Sequence, residues 1–502
     1  MASKSGKRLT RRTSVFMLGG IAGSALLAAC GEVEIRYVQG PAGPAGAAGA
    51  QGEKGAAGAA GAAGSAGQAG ETIVVEKPVV VEKVVERVVE VAAPTKQRVQ
   101  LLYWNGWRST HRFSLGTNEV IRDFLGKQDG VAVEIGEAGG GQNMTKIKAA
   151  LAADTPPHAW FNWQVPTSDL YNLGATIDFN EALKTKKDWA TISGDLVPFL
   201  VEGTTWKGHL TMVPMIPDAH ALGFNKHILA KEGIDFPQEG YTWADFDEIG
   251  TKIFIPGERA LSDFRYDGHR LLWYMGSNGT FPLDQSRTKF QWNTPETIET
   301  FEYAHNHSTR TGYFINEFPE GNSNANFNAG GRLTNIINAG TVTPPRYPDI
   351  DPGDGSGIQI THYPLGPSNA SKTPMTPGNV FGIVVFKGHP SAEQDMAAEL
   401  VLHSVRPEVQ LLVSAASGHP PSNLAAARDP NITKALRDNP ILNKLNELTQ
   451  FDRPTPNPPS YLQVLGIVKE HMTNVKNGDM VPKDALAEIQ RLTQPMLDKD
   501  IG

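Results

Sequence analysis

The sequence predicts an α/β fold in two lobes over residues 98–502, carried on an exported, low-complexity N-terminal arm. Three observations predict it. Short apolar runs alternate with amphipathic helical patterns from Arg98 onward, the signature of strand and helix winding. A segment of about four hundred residues exceeds what one hydrophobic core usually serves, so it divides. Composition also changes abruptly near residue 98, from Gly/Ala and Val/Glu tracts to an ordinary globular mixture.

At the start of the chain, Lys4, Lys7, Arg8, Arg11 and Arg12 precede an apolar run from Val15 to Ala29, broken by Gly19, Gly20 and Gly23. Basic residues before a short apolar run are the layout of a signal peptide, here 1–29. At about fifteen residues the run falls short of the ~20 that a helix needs to cross a bilayer. It ends in Leu27-Ala28-Ala29-Cys30, which resembles the lipobox of bacterial lipoproteins. That resemblance implies lipid attachment at Cys30 and a cell-surface location on a lipid membrane. Cys30 is the only cysteine, so no disulfide is expected. Thr10-Arg11-Arg12-Thr13-Ser14-Val15 also resembles a twin-arginine export signal.

Residues 30–97 read as a linker in two parts. Glycine recurs at every third position from Gly40 to Gly70, a Gly-X-Y tract of the kind that only a crowded triple-helix axis requires. X and Y are mostly alanine, with Pro41 and Pro44 the prolines that pre-set the backbone. Two readings stay open, a flexible spacer and a collagen-like stalk forming a homotrimer through 40–91. The second part, 71–97, repeats valine pairs between Glu-Lys and Glu-Arg pairs, with Pro78 interrupting any helix.

The folded region then winds in order. Arg98 to Trp104 reads as a first strand, Asn118 to Lys127 as a helix and Val131 to Ile135 as a second strand. Gly139 to Asn143 open a helix through Ile147, Ala150 and Leu151, and Ala159 to Trp163 form a third strand. In such sheets ligands sit beyond the carboxyl ends of the strands. Trp104, Asn105, Gln142, Asn143, Asn162 and Trp163 therefore converge on one aromatic, amide-rich rim.

Later helices carry their own start and stop signals. Thr242-Trp243-Ala244-Asp245 and Ser391-Ala392-Glu393-Gln394 read as capping boxes, and Thr294-Pro295 as a cap followed by proline. The helix through Leu411, Leu412 and Val413 stops at Gly418-His419-Pro420-Pro421. With 53 acidic and 46 basic residues the net charge is -7, which argues against nucleic acid as a partner and for neutral or weakly charged ligands.

Several segments share a pattern with one family. Asp154-Thr155-Pro156-Pro157-His158-Ala159-Trp160 is similar to a segment of the family 1 extracellular solute-binding proteins of ABC importers, with His158 where aspartate is usual. Trp206-Lys207-Gly208 through Pro214, Ala221 through Leu229, Glu232-Gly233-Ile234-Asp235 and Thr242 to Phe246 resemble the family's central run, with Gln238 to Tyr241 as an extra loop. Gly382 to Val385, Glu393 to Leu402, Gln410 and Ser417 to Pro421 are similar to its closing segment. The resemblance implies a periplasmic-binding-protein-like fold of two α/β lobes joined by hinge strands, a solute held in the cleft, and ABC permease subunits as partners. Lobe 1 is expected at about 98–214 and 382–425, lobe 2 at about 222–378 and 426–502. The crossings fall near Met215 to Leu222, Asn379 to Val384 and Leu424.

Carbohydrate-binding members stack the sugar on aromatic residues, and the matching positions are Trp163, Trp273 and Tyr274, with Tyr461 as a third platform. All nine tryptophans lie between Trp104 and Trp292. Aromatic rings suit sugar C–H faces, while amides and carboxylates suit hydroxyls. Asp218 and Asn379 lie near the expected hinge and complete the ligand set. Trp160, Trp189 and Trp243 are read as core. No aromatic follows Asn335 to Gly340, which argues against a long oligosaccharide.

Enzymatic readings find no constellation. No Gly-x-Ser-x-Gly elbow is present, and Gly139 to Gly141 lack the Lys-Ser or Lys-Thr of a phosphate loop. His305-Asn306-His307 has alternate histidines but no third metal ligand in its pattern. The expectation is a lipid-anchored receptor for a sugar or similar small solute, with no catalytic residues, metal or cofactor. The alternatives are a surface adhesin trimerised by the Gly-X-Y tract and a surface carbohydrate-active enzyme.

Overall fold

The computed structural model describes residues 36–38, 98–138, 144–316, 323–338 and 346–502. The signal peptide, Cys30, the Gly-X-Y tract, the 71–97 stretch, Gln142 and Asn143 lie outside the described residues.

Two sheets organise the chain. The larger runs in the order Arg36–Val38, Val131–Glu137, Val99–Asn105, Ala159–Trp163 and Thr376–Val385. The first four strands are parallel, whereas Thr376–Val385 is antiparallel to Ala159–Trp163 on one edge and to Val213–Asp218 on the other. Asp452–Pro454 adds a short parallel strand along Thr376 to Gly378. The smaller sheet pairs His220–Asn225 with Thr334–Asn338 and Ile358–Thr361, both antiparallel. The short strand Arg36–Val38 is a finding the sequence reading had placed inside the linker.

These residues form these elements for local reasons. Ala159–Trp163 is buried at all five positions, as a strand covered by helices on both faces must be. The helix Arg112–Lys127 buries Phe113, Gly116, Thr117, Val120, Ile121 and Phe124, a 3.6-residue stripe. Gly116 lets it approach the helix Pro407–Ser417, since a Cβ there would stand 3.3 Å from Val413 Cγ1. In the second lobe Ile441, Leu445 and Leu448 of the helix Pro440–Leu448 pack with Ile358 and Ile360 of the smaller sheet. Trp160, Trp189 and Trp243 are buried as expected, Trp243 stacking on Tyr303 at 4.1 Å.

Two element starts differ from expectation. The first helix begins at Arg112 rather than Asn118, because the His111 side chain takes the N-cap role and accepts from Phe113 N. Ser391 is the first residue of its helix, not its cap; Pro390 precedes it without a side-chain bond. Glu393 is drawn instead to His158, whose Nε2 lies 2.9 Å away. Thr242 does form a reciprocal capping box with Asp245, Thr294 caps ahead of Pro295, and Gly418 ends its helix in the left-handed region at φ 74.

Only Ala219 separates Val213–Asp218 of the larger sheet from His220–Asn225 of the smaller, so the chain passes from one sheet to the other in one residue. It returns through Thr376–Val385, and Asp452–Pro454 lies beside that return. The two sheets are therefore joined by a small set of adjacent strand ends, which the sequence reading expects as the hinge.

Candidate binding site at the hinge strands

Asp218 and His220 flank Ala219 in extended backbone, so their side chains emerge on the same side. Both are buried. Asn338, at the end of its strand in the second lobe, donates from Nδ2 to Asp218 Oδ1 at 2.8 Å. His220 Nε2 lies 3.4 Å from Asp218 Oδ2, and His419 Nε2 lies 3.6 Å from Oδ1. Arg112, at the start of the first-lobe helix, reaches Asn338 Oδ1 with Nη2 at 3.5 Å.

The charges follow from this packing. Burial alone pushes the Asp218 carboxyl up, but His220, His419 and Arg112 outweigh it and hold it well below the usual carboxylate range. Burial pushes both imidazoles down. His111 is pushed down to about 4 by burial and by the Arg112 and Arg346 guanidiniums. At neutral pH the cluster is a carboxylate facing arginine, amide and uncharged imidazole.

An aromatic arc adjoins it. Trp163 lies 5.5 Å from the His269 ring, His269 lies 6.4 Å from Trp273, and His220 meets Trp273 edge-on at 5.4 Å. Trp163 Nε1 donates to Asn379 Oδ1 at 3.1 Å, and Thr455 Oγ1 donates to the same oxygen at 3.0 Å. Asn379 pairs in register with Asp218. Arg270 stands 5.5 Å over the Trp273 ring while its Nε bonds Asp263 Oδ2 at 2.9 Å, fixing the indole from its own lobe. Trp273 Nε1 is buried without a hydrogen-bond partner.

Of the sequence-predicted residues, Trp163, Asp218, Trp273 and Asn379 are thus brought together. Trp104 instead packs under Lys146 Nζ at 4.6 Å. Asn105 accepts from Thr117 Oγ1 at 3.0 Å, and Asn162 is fully buried with neither side-chain atom partnered. Tyr274 lies in the second-lobe aromatic core beside Phe314 and Tyr363. Tyr461 is wholly buried at the start of its helix, near Phe290, and the structure does not bring it to the arc.

Metal chemistry has one candidate among the described residues, His158, His389 and Glu393, whose ligand atoms lie within 4.8 Å of one another. Leu102 N donates to His158 Nδ1 at 2.8 Å, which leaves the ring proton on Nε2. Nε2–H then donates to Glu393, so the atom that faces the cluster has no lone pair to offer a cation. His305 is bonded to Tyr266 Oη, while His307 meets Thr311 and Asp247.

The family profile of bacterial extracellular solute-binding proteins matches residues 119–440, more than half of the chain. The chain belongs to that family. No curated protein matches it by sequence. Among solved structures it is similar to the GacH receptor of Streptomyces glaucescens GLA.O, described unliganded and with acarbose, at 16% identity and TM-score 0.67, covering 80% of this chain and 98% of that one. Maltose-bound MalE3 of T. maritima gives 17% identity and TM-score 0.65 over 79% and 99%. UgpB of Mycobacterium tuberculosis, in complex with glycerophosphocholine, gives 17% and 0.67 over 80% and 99%. At these identities the likeness is one of fold, a two-lobed solute-binding protein architecture of mixed α/β type.

The cluster and the adjoining arc also hold residues that sequence reasoning did not single out: Arg112, His220, His269 and Asn338. His419 was noted only as part of a helix stop. The signal of Arg112, His220, His269 and Asn338 was weak because each is an isolated polar residue at an element end. Among the described residues, no helix is long and apolar enough to cross a membrane.

Proposed function

We propose that the chain is a surface-anchored receptor that captures a sugar or sugar-like solute between its lobes and delivers it to an ABC importer. The observation that carries this reading is the Trp163, His269, Trp273 arc beside Asp218 at the strand ends where the chain passes between lobes. Trp163 comes from the larger sheet and Trp273 from a helix of the other lobe, so closure presses a ring from each side onto a solute. Rings of this kind take sugar C–H faces, and the unpartnered Trp273 Nε1–H is a donor ready for a hydroxyl.

In this reading lobe 1 is about 98–214 with 382–425, and lobe 2 about 222–378 with 426–502. Cys30 carries the lipid, and 30–97 supplies reach between membrane and receptor. Binding, not catalysis, is the activity. Fluorescence titration of the full chain with mono- and disaccharides tests it. A saturable change lost in Trp163→Ala supports the reading, and no change with any sugar overturns it.

A further inference from the structure

Two of the side chains expected as sugar platforms lie apart from the arc. Tyr461 is wholly buried beside Phe290, and Tyr274 packs against Phe314 and Tyr363. Trp163 and Trp273 remain, and each is braced. The Trp163 indole donates to Asn379 Oδ1 at 3.1 Å, while Trp273 is held between the Arg270 guanidinium at 5.5 Å and the edge of His220 at 5.4 Å. Both rings are almost fully covered, at 4% and 6% exposure, so the two walls of the site are fixed in place.

His269 stands between them. Its ring centroid lies 5.5 Å from that of Trp163 and 6.4 Å from that of Trp273, and it is the half-buried member of the three. A sugar held between two side-chain rings keeps about 3.5–4.0 Å from each, which requires the rings to stand ~7–8 Å apart. Both steps of the arc are shorter. No sugar unit passes between the imidazole and either indole while His269 keeps this position.

The backbone keeps it there. His269 opens the helix His269–Ser277, its N–H donates to Asp267 Oδ1 at 3.1 Å, and Gly268 before it adopts φ 82. A Cβ at Gly268 would meet Val468 Cγ1 at 3.1 Å, so this turn is pressed against the helix Tyr461–Asn477. His220 takes a second position on the Trp273 ring and is itself fixed 3.4 Å from Asp218 Oδ2. Two imidazoles thus share one indole, and what they leave is a platform for one sugar ring rather than for a row of them.

We propose that the site takes a solute of a single sugar ring, and that His269 sets this limit by standing where the second unit of a longer sugar has to lie. The proposal rests on the receptor reading above and names its solute class. A neutral imidazole has one donor and one acceptor nitrogen, so the side chain that bounds the solute also suits its hydroxyls.

Calorimetric titration of the full chain with sugars of one, two and three units, in the glucose, xylose and mannose series, tests it. The expected result is that the best single unit binds about tenfold or more tighter than its two- and three-unit forms. His269→Ala removes the stop and narrows that ratio to about threefold or less, whereas His269→Gln, which keeps bulk and polarity, holds it wide. The ratio is read within each protein, so a partial loss of folding does not imitate it, and His269→Ser repeats the test if the alanine variant fails to fold. Three-unit sugars that bind the parent chain as tightly as single units, or a ratio that His269→Ala leaves unchanged, overturn the size limit and leave the receptor standing. Failure of every series to bind overturns the two readings together.

Discussion

Asn338 donates a 2.8 Å hydrogen bond to Asp218, tying the end of a strand of the smaller sheet to the last residue of a strand of the larger one. The same amide's oxygen stands 3.5 Å from Arg112 Nη2, so one side chain lies between a buried carboxylate and a cation. Removing it leaves both groups with less than they need. Asn338→Ala is expected to cost about 1.5–3 kcal/mol, the usual range for a buried bond to a charged group. Urea unfolding measures it, and an unchanged midpoint contradicts the role given to this bond.

Trp273→Phe separates binding from packing. The indole Nε1–H is buried and unpartnered, so its removal costs the fold little. If the solute supplies the missing acceptor, affinity falls about tenfold while the melting temperature stays close to the parent's. A large fall in melting temperature with unchanged affinity is the opposite result.

Stability is expected to fall on acidification from about pH 6.5 to 4. His111 titrates near 4 in the fold, and burial lowers His220 and His419 too, whereas an unfolded chain binds those protons near 6.5. In that window the unfolded state holds more protons, so stability rises with pH and declines as pH drops. Asp218 adds its own loss only lower, since its stabilisation is present above about pH 4 and disappears as pH falls through its depressed folded value. His111→Asn keeps a capping acceptor and removes one titrating ring, so its melting temperature is less steep in pH. Equal slopes for the two proteins refute this assignment.

Gly382 sits where the hinge strand shifts register between Phe381 and Gly382. A Cβ there would fall 2.1 Å from the Val213 carbonyl oxygen, a backbone atom that cannot rotate away. Gly382→Ala therefore displaces Val213–Asp218, lowering both melting temperature and solute affinity. Gly126→Ala, with nothing within 4 Å, is the control and is neutral or slightly stabilising.

Much of the fold was legible because its signals are local. Ala159 to Trp163 matches its strand residue for residue, and the caps at Thr242 and Thr294 follow from side chains within one turn. The Ser391 cap was misread because Glu393 has a distant competitor, His158 on the neighbouring strand connection, which no local rule reveals. The helix start at Arg112 was missed because histidine is an unusual N-cap.

Trp163, Asp218, Trp273 and Asn379, named from a family pattern and from strand ends, lie together in the structure. Arg112, His220, Asn338 and His419 were not singled out, since they come from one helix, two strands and a connection and meet only when both sheets have formed. Tyr461 matched a pattern, yet the structure buries its ring wholly beside Phe290, apart from the arc.

The central claim, capture of a sugar-like solute at the hinge, is tested most directly by a thermal-shift screen of the full chain. The panel holds sugars, sugar acids, sugar phosphates, polyols, amino acids and peptides. A ligand at a hundred times its Kd stabilises by about 2.7 kcal/mol, a readily visible rise in melting temperature. The account predicts a rise with a sugar-type solute that disappears in both Trp163→Ala and Trp273→Ala. A rise confined to amino acids or peptides, or one that survives both substitutions, contradicts it.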